Sequence, residues 1–182
     1  MQILIETNSI NKEEKKYIFD VVFSQFLGFN NYKIIFKSDL DCFKIKYAKT
    51  YITFPDKLLS KEGIYIQNYV EKIKDFSFNY DNLYYKKIPF FLYEISENYT
   101  YKIDIFGSIF YLLSGLEYYD KKFPRDEFNR FDLTKSFIYK NNFHKRPLVN
   151  EYIFLLKNIL SEIDFSSKNY KLLVSHDIDR LF

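Results

Sequence analysis

The 182-residue sequence predicts an α+β fold, with a small, mainly antiparallel sheet and helices, then a helical segment and a terminal strand. Two observations carry this prediction. Three segments with strand character lie between residues 31 and 55, and such close spacing is typical of antiparallel neighbours. Beyond residue 103, two long segments repeat their apolar residues at helical spacing. Helices are therefore expected to dominate the second half.

The first elements follow from local patterns. QILIE at residues 2–6 predicts a strand, and residues 8–28 predict a helix. Asn11 and Glu14 are spaced as a capping box at the start of that helix, and Gly28 supplies its end. The three strands that follow are predicted at residues 31–37, 42–48 and 50–55, where Pro55 ends the pattern.

Residues 56–100 leave alternatives open. The segment NYVEKIKDF could form a helix. The segment NLYYKKIPFFLYEI could be a strand that Pro89 interrupts, or a loop with buried aromatic side chains.

The last third has the clearest helical patterns. DIFGSIFYLLSGLEYYD predicts a helix capped by Asp104, and KKFPRDEFNRF predicts a charged loop. RPLVNEYIFLLKNILSEIDF predicts the most regular helix, with Pro147 near its first turn, where proline is tolerated. KLLVS then predicts a short apolar strand that leads into His176.

Composition limits the classes of function. The net charge of +3, from 27 basic and 24 acidic residues, is too balanced to predict a nucleic-acid partner. The single cysteine, Cys42, excludes an internal disulfide framework and a cysteine-based zinc site. The sequence shows no signal peptide and no apolar run of the roughly 20 residues that span a bilayer. We therefore expect no membrane span and a cytoplasmic location.

Aromatic and arginine residues are distributed unevenly. The 18 Tyr and 21 Phe could be stacking platforms for bases or sugars, but the abundance of Lys, Asn, Ile, Tyr and Phe favours the compositional bias of an A+T-rich genome. In a lysine-rich chain, arginine suggests bidentate or stacked contacts that lysine cannot make. All four arginines lie in the last third: Arg125, Arg130, Arg146 and Arg180.

Two acidic residues follow the predicted terminal strand directly. Asp177 and Asp179 would point to the same side of an extended chain, at the carboxyl end of a strand, where α/β sheets and barrels place active sites. Two such carboxylates can divide the work of binding a divalent metal and accepting a proton. The alternative is an inert, solvated polar turn.

A second cluster of charged residues lies in the sequence before the last long helix and in its first turn. Ion pairing could pin its loop against the neighbouring helices, and a structural salt-bridge network is favoured over an anion or sugar site. The cluster comprises Asp126, Glu127, Arg130, His144, Arg146 and Glu151.

Four stretches carry a resemblance to a known family: DIFGSIFYLLSGLEYYD, DEFNRF, HKRPLVNEYIFLL and LLVSHDIDRLF. In order and spacing, they resemble the region before the catalytic domain, and the first strand of that domain, in polysaccharide deacetylase-like proteins of bacterial surface-polysaccharide gene clusters. The last stretch is the most specific. The resemblance divides the chain into a variable N-terminal α+β region at 1–103, the helical segment of an accessory domain at 104–168, and the first strand of a truncated β/α barrel at 169–182.

The resemblance also implies a chemistry. Family members hydrolyse N-acetyl groups of sugars with a divalent metal, zinc or similar, held by an aspartate and two histidines. Carried over, Asp177 would be the catalytic base and Asp179 the metal ligand, while His176 and Arg180 would line the site. Ile178 separates two acids that are adjacent in the commoner motif.

The chain also departs from the family pattern. It contains no pair of histidines separated by three residues, which supplies two of the family's metal ligands. These 182 residues are therefore expected to hold no metal and to be inactive alone, with an N-acetylated polysaccharide or precursor as the partner of the parent. The alternative is a non-catalytic accessory module that binds glycans or proteins.

Overall fold

The computed structural model describes residues 2–61, 72–80, 83, 86–161, 163 and 165. Over these residues the fold is α+β, as the sequence predicts, with a four-stranded sheet, a two-stranded sheet and five α-helices. No helix in this described part of the chain is long and apolar enough to cross a membrane. The predicted terminal strand and its barrel assignment lie outside the described residues.

The four-stranded sheet is mixed. Its order is β2-β1-β3-β4, in which β1 runs parallel to β2 and antiparallel to β3, and β3 runs antiparallel to β4. A helical crossover between β1 and β2 allows that parallel pair, whereas the other neighbours are antiparallel as expected. The strands are β1 (Ile3–Thr7), β2 (Tyr32–Phe36), β3 (Cys42–Tyr47) and β4 (Thr50–Pro55).

The crossover helix begins differently from the prediction. Helix α1 (Lys12–Phe19) continues as a π-helix over Asp20–Phe26, and Gly28 follows with a φ of 68°. The capping box of Asn11 and Glu14 is wrong, because Asn11 adopts a left-handed φ of 49° and its side chain makes no cap. The Asn11 amide instead donates to the carbonyl oxygens of Leu59 and Lys61, at 3.1 and 2.7 Å.

The ambiguous middle segment contains a second sheet. Strands β5 (Lys74–Ser77) and β6 (Lys87–Phe90) pair antiparallel. The helical alternative is therefore wrong where NYVEKIKDF overlaps β5. A strand does form in the second segment, but it runs through Pro89 instead of being interrupted there. Proline is tolerated in β6 because a strand paired on one side can turn its missing N–H away from its neighbour.

The second half is helical. Gly115, with a φ of 61°, ends α2, so the long helix predicted from Asp104 is divided in two. The Asp104 side chain caps α2 by accepting from the backbone N–H of Gly107, as predicted. A Cβ at Gly107 would lie 2.3 Å from that carboxylate, so only glycine fits there. The helices are α2 (Ile105–Ser114), α3 (Leu116–Tyr119), α4 (Phe137–Lys140) and α5 (Leu148–Ile159).

One hydrophobic core joins the sheet to the helices. Phe106 of α2 is its aromatic hub, with four rings whose centroids lie 5.2 to 6.3 Å away. The described residues of regions 1–103 and 104–168, which the sequence separates, therefore share this core. The four rings belong to Phe19, Phe23, Phe43 and Phe54.

We expect Phe106→Ala to lower the free energy of unfolding by about 3–5 kcal/mol, because it removes a fully buried ring and leaves a cavity. Phe154→Ala is the matched control, since Phe154 is exposed on α5, and we expect it to change stability by less than about 0.5 kcal/mol. Urea denaturation measures both. Equal, small effects would contradict the role of Phe106.

Candidate functional site

The acidic cluster that the sequence singles out is not part of the described fold. His176, Asp177, Asp179 and Arg180 all lie outside the described residues. Within the described ranges, no group of three or more His, Cys, Asp or Glu residues could hold a metal ion. The catalytic and metal-binding roles of that cluster therefore stay predictions.

Arg146 and Glu151 form a partly buried clamp at the start of α5. The guanidinium donates from Nε to Glu151 Oε1 at 2.7 Å and from Nη2 to Oε2 at 2.6 Å. Nη2 also donates to the carbonyl oxygen of Lys87 in β6 at 3.0 Å. The planar fork of arginine suits this bidentate contact. The clamp ties α5 to the second sheet, which is the structural role that the sequence favours here.

Three of the other four residues of that charged cluster have local roles. Arg130 pairs with Asp126, four residues earlier, at 2.8 Å. The His144 ring stacks on Tyr139 with centroids 4.8 Å apart. Both arginines of this cluster, Arg130 and Arg146, thus pair with an acid within five residues in the chain.

A buried charged cluster lies where β1 and β4 end, and sequence reasoning missed it. The Lys15 ammonium is 2.7 Å from Asp56 Oδ2, and both side chains are completely buried. The same ammonium donates to Asn8 Oδ1 at 2.6 Å. Burial lowers the pKa of Lys15 and raises the pKa of Asp56, while their mutual attraction opposes both shifts.

Asp104 completes this cluster, which we call the buried triad of Lys15, Asp56 and Asp104. Its Oδ2 accepts from the backbone N–H groups of Lys57 and Leu58 at 2.8 and 3.2 Å, and Oδ1 accepts from Gly107 at 2.7 Å. Burial, with repulsion from Asp56, raises the pKa of Asp104 to about 7. The side chains are sealed from solvent, so the triad acts on the fold rather than on a substrate.

A rigid turn lies on the surface after α3. The Asp126 carboxylate accepts from the backbone N–H groups of Phe128 and Arg130, both at 2.9 Å. Arg125 and Phe131 form an antiparallel bridge around this turn, and Asn129 adopts a left-handed φ of 60°. We call residues 118–131 the aromatic hairpin.

The aromatic hairpin presents stacked rings and two arginines. Phe123 stacks on Phe131 at 4.5 Å, and the Arg125 guanidinium lies 5.5 Å from the Tyr118 ring centroid. The Arg130 guanidinium lies 4.8 Å from the centroid of Phe128, whose side chain is 67% exposed at the tip. Two of the chain's four arginines lie within this hairpin, which is the signal that the sequence offers for it.

One family model matches residues 3–164, and its description is a family of unknown function (DUF7033). The match includes nearly all of the described fold, with the buried triad, the clamp and the aromatic hairpin. No curated protein and no solved structure matches the chain.

We expect Lys15→Met to lower the free energy of unfolding by about 3–5 kcal/mol, because it leaves a buried carboxylate without its partner. Lys16→Met is the matched control, since Lys16 pairs with Glu13 at the surface, and little change is expected. Adding Asp56→Leu to Lys15→Met should recover part of the loss. Equal effects of the two single variants in chemical denaturation would contradict the triad.

The triad also predicts a pH dependence. With the pKa of Asp104 raised from 3.8 to about 7, the folded state holds more protons than the unfolded state between these values. The stability contributed by Asp104 is therefore full below about pH 4 and is lost as pH rises through about 7. Asp104→Asn should make this decline shallower in unfolding curves measured across that range, while Asp56, whose pKa burial also raises, keeps part of it.

Asp126→Asn is the control of opposite sign for that experiment. Hydrogen bonds from Arg130, led by its backbone N–H, lower the pKa of Asp126, so its contribution is lost as pH falls. A decline with rising pH that is as steep in Asp104→Asn as in the unchanged protein would contradict the assignment to Asp104.

Proposed function

We propose that this chain, which belongs to DUF7033, a family of unknown function, is the accessory region of a polysaccharide deacetylase-like protein. The observation that carries the proposal is the order of two parts of the chain. The family match ends at residue 164, and the His176–Arg180 motif follows in the sequence. An accessory region before the first catalytic strand is the arrangement that the resemblance implies.

In this proposal the roles of the last residues belong to the parent protein. Asp177 accepts a proton from the attacking water, Asp179 is a metal ligand, and His176 and Arg180 line the site. The donors of the chain do not complete the implied ligand set, because it contains only two histidines and His144 lies stacked on Tyr139. We therefore assign the divalent metal to the parent and not to these 182 residues.

A second candidate is a non-catalytic module that binds a glycan or a protein. The observation that favours it is the aromatic hairpin, which displays rings and guanidinium groups on a surface ordered by its own hydrogen bonds. The two candidates are compatible, since an accessory region can hold the chain on which a catalytic domain acts.

Acetate release tests the first candidate. The full open reading frame containing this chain should release acetate from an N-acetylated oligosaccharide when zinc or a similar metal is supplied. Asp177→Asn should slow it about 10²–10⁴-fold, the usual contribution of a positioned acid or base. Asp39→Asn, at an exposed position in the turn between β2 and β3, is the control and should leave the rate unchanged.

The 182-residue chain alone should release no acetate. Release by this chain, or full activity of Asp177→Asn in the longer polypeptide, would contradict the proposed roles. A downstream reading frame without a pair of histidines that have three residues between them would contradict the family assignment.

A further inference from the structure

We propose that the aromatic hairpin is a binding surface for a neutral polysaccharide. Sugar rings stack on Phe128, and Arg130 donates hydrogen bonds to the polar groups of the sugar. This inference deepens the proposed function, and rests on it, by assigning the grip on the glycan to residues of the accessory region. It also makes a claim about binding that is measurable without any catalysis.

The first argument is preorganisation. An exposed loop that orders only on binding would lose affinity to the cost of ordering. In the aromatic hairpin that cost is already met, because the Asp126 carboxylate holds two backbone N–H groups and the backbone N–H of Asp126 donates to the Arg130 carbonyl at 2.9 Å. The ring of Phe128 is thereby held at the tip of a closed turn.

The second argument is the exposure of large rings beside planar polar groups. Phe128 and Tyr119 are 67% and 75% exposed, although water disfavours such surfaces. An aromatic ring offers a flat apolar face, and a tyrosine hydroxyl adds a polar end. Sugars also present an apolar ring face and a polar edge, so a ring next to a hydrogen-bonding fork suits them.

The third argument concerns Arg130. Its Nε and Nη2 both lie 2.8 Å from Asp126 Oδ2, while the side chain stays 71% exposed. Guanidinium has five N–H donors, so this exposed fork retains donors that face solvent. Its position near the centroid of Phe128 places those donors within reach of the hydroxyl or acetamido groups of a sugar stacked on that ring.

The fourth argument selects a neutral ligand. The aromatic hairpin, residues 118–131, contains four basic and three acidic residues, and Asp126 partly neutralises Arg130. Binding to a polyanion would draw on an excess of basic charge, and its affinity would fall steeply with salt. The balance of charge here favours a neutral glycan instead.

The test is calorimetric titration of the purified 182-residue chain with chitohexaose, mannan and dextran, with hyaluronan as the anionic comparison. We expect chitohexaose, a neutral N-acetylated chain, to bind with an affinity that salt hardly changes. Phe128→Ala should weaken binding about tenfold or more, and Arg130→Lys several-fold, since lysine keeps the charge but loses the fork. Thermal unfolding should be nearly unchanged in Phe128→Ala.

Phe154→Ala is the matched control, because Phe154 is 56% exposed on α5 and belongs to another surface. The inference is overturned if no neutral chain binds, if Phe128→Ala and Phe154→Ala weaken binding equally, or if hyaluronan alone binds in a salt-sensitive way. Sedimentation that shows self-association abolished by Phe128→Ala, without glycan binding, would overturn it in favour of a protein interface.

The outcomes also separate the two proposals. Binding of mannan or dextran by the hairpin, together with no deacetylation by the longer polypeptide, would leave this inference standing and remove the proposed function. Deacetylation without hairpin-dependent binding would do the reverse.

Discussion

The ion pair between Lys15 and Asp56 is the constraint on which the fold depends most. Removing two charges from water costs several kcal/mol for each ion, and only close pairing and further hydrogen bonds offset that cost. The fold supplies them from distant parts of the chain: α1 brings Lys15, the end of β4 brings Asp56, and Asn8 follows β1. These elements therefore have little freedom to shift against one another.

Asp104 extends the same constraint to the helical half. Its carboxylate holds the backbone just after β4 and also caps α2, which fixes Phe106 among the rings of the sheet layer. Further along, the Glu117 carboxylate accepts from the Phe137 backbone N–H at 2.9 and 3.2 Å. Glu117 and Phe137 flank the aromatic hairpin, so these hydrogen bonds join the chain on its two sides.

Local patterns in the sequence predict the helices and strands that bury one face against the core and expose the other. Alternation gives β3, and helical spacing gives α2 and α5, because each turns one face to the core. Local patterns do not predict the second sheet, since Pro89 and short aromatic runs fit several structures. The capping box failed because Asn11 bonds distant carbonyl groups. The buried triad joins residues 41 and 48 positions apart, and no local pattern reports such a pairing. The roles of Asp177 and Asp179 rest on sequence resemblance alone.

Native-state hydrogen exchange of the backbone amides that donate to Asp104 tests the role of the triad most directly. If the triad ties the sheet to the helices, the amides of Lys57, Leu58 and Gly107 open only with the whole fold. Their opening free energies should then equal those of the β1 amides in the same protein. Much faster exchange at Gly107 than in β1 would show that α2 opens by itself, which would contradict the account.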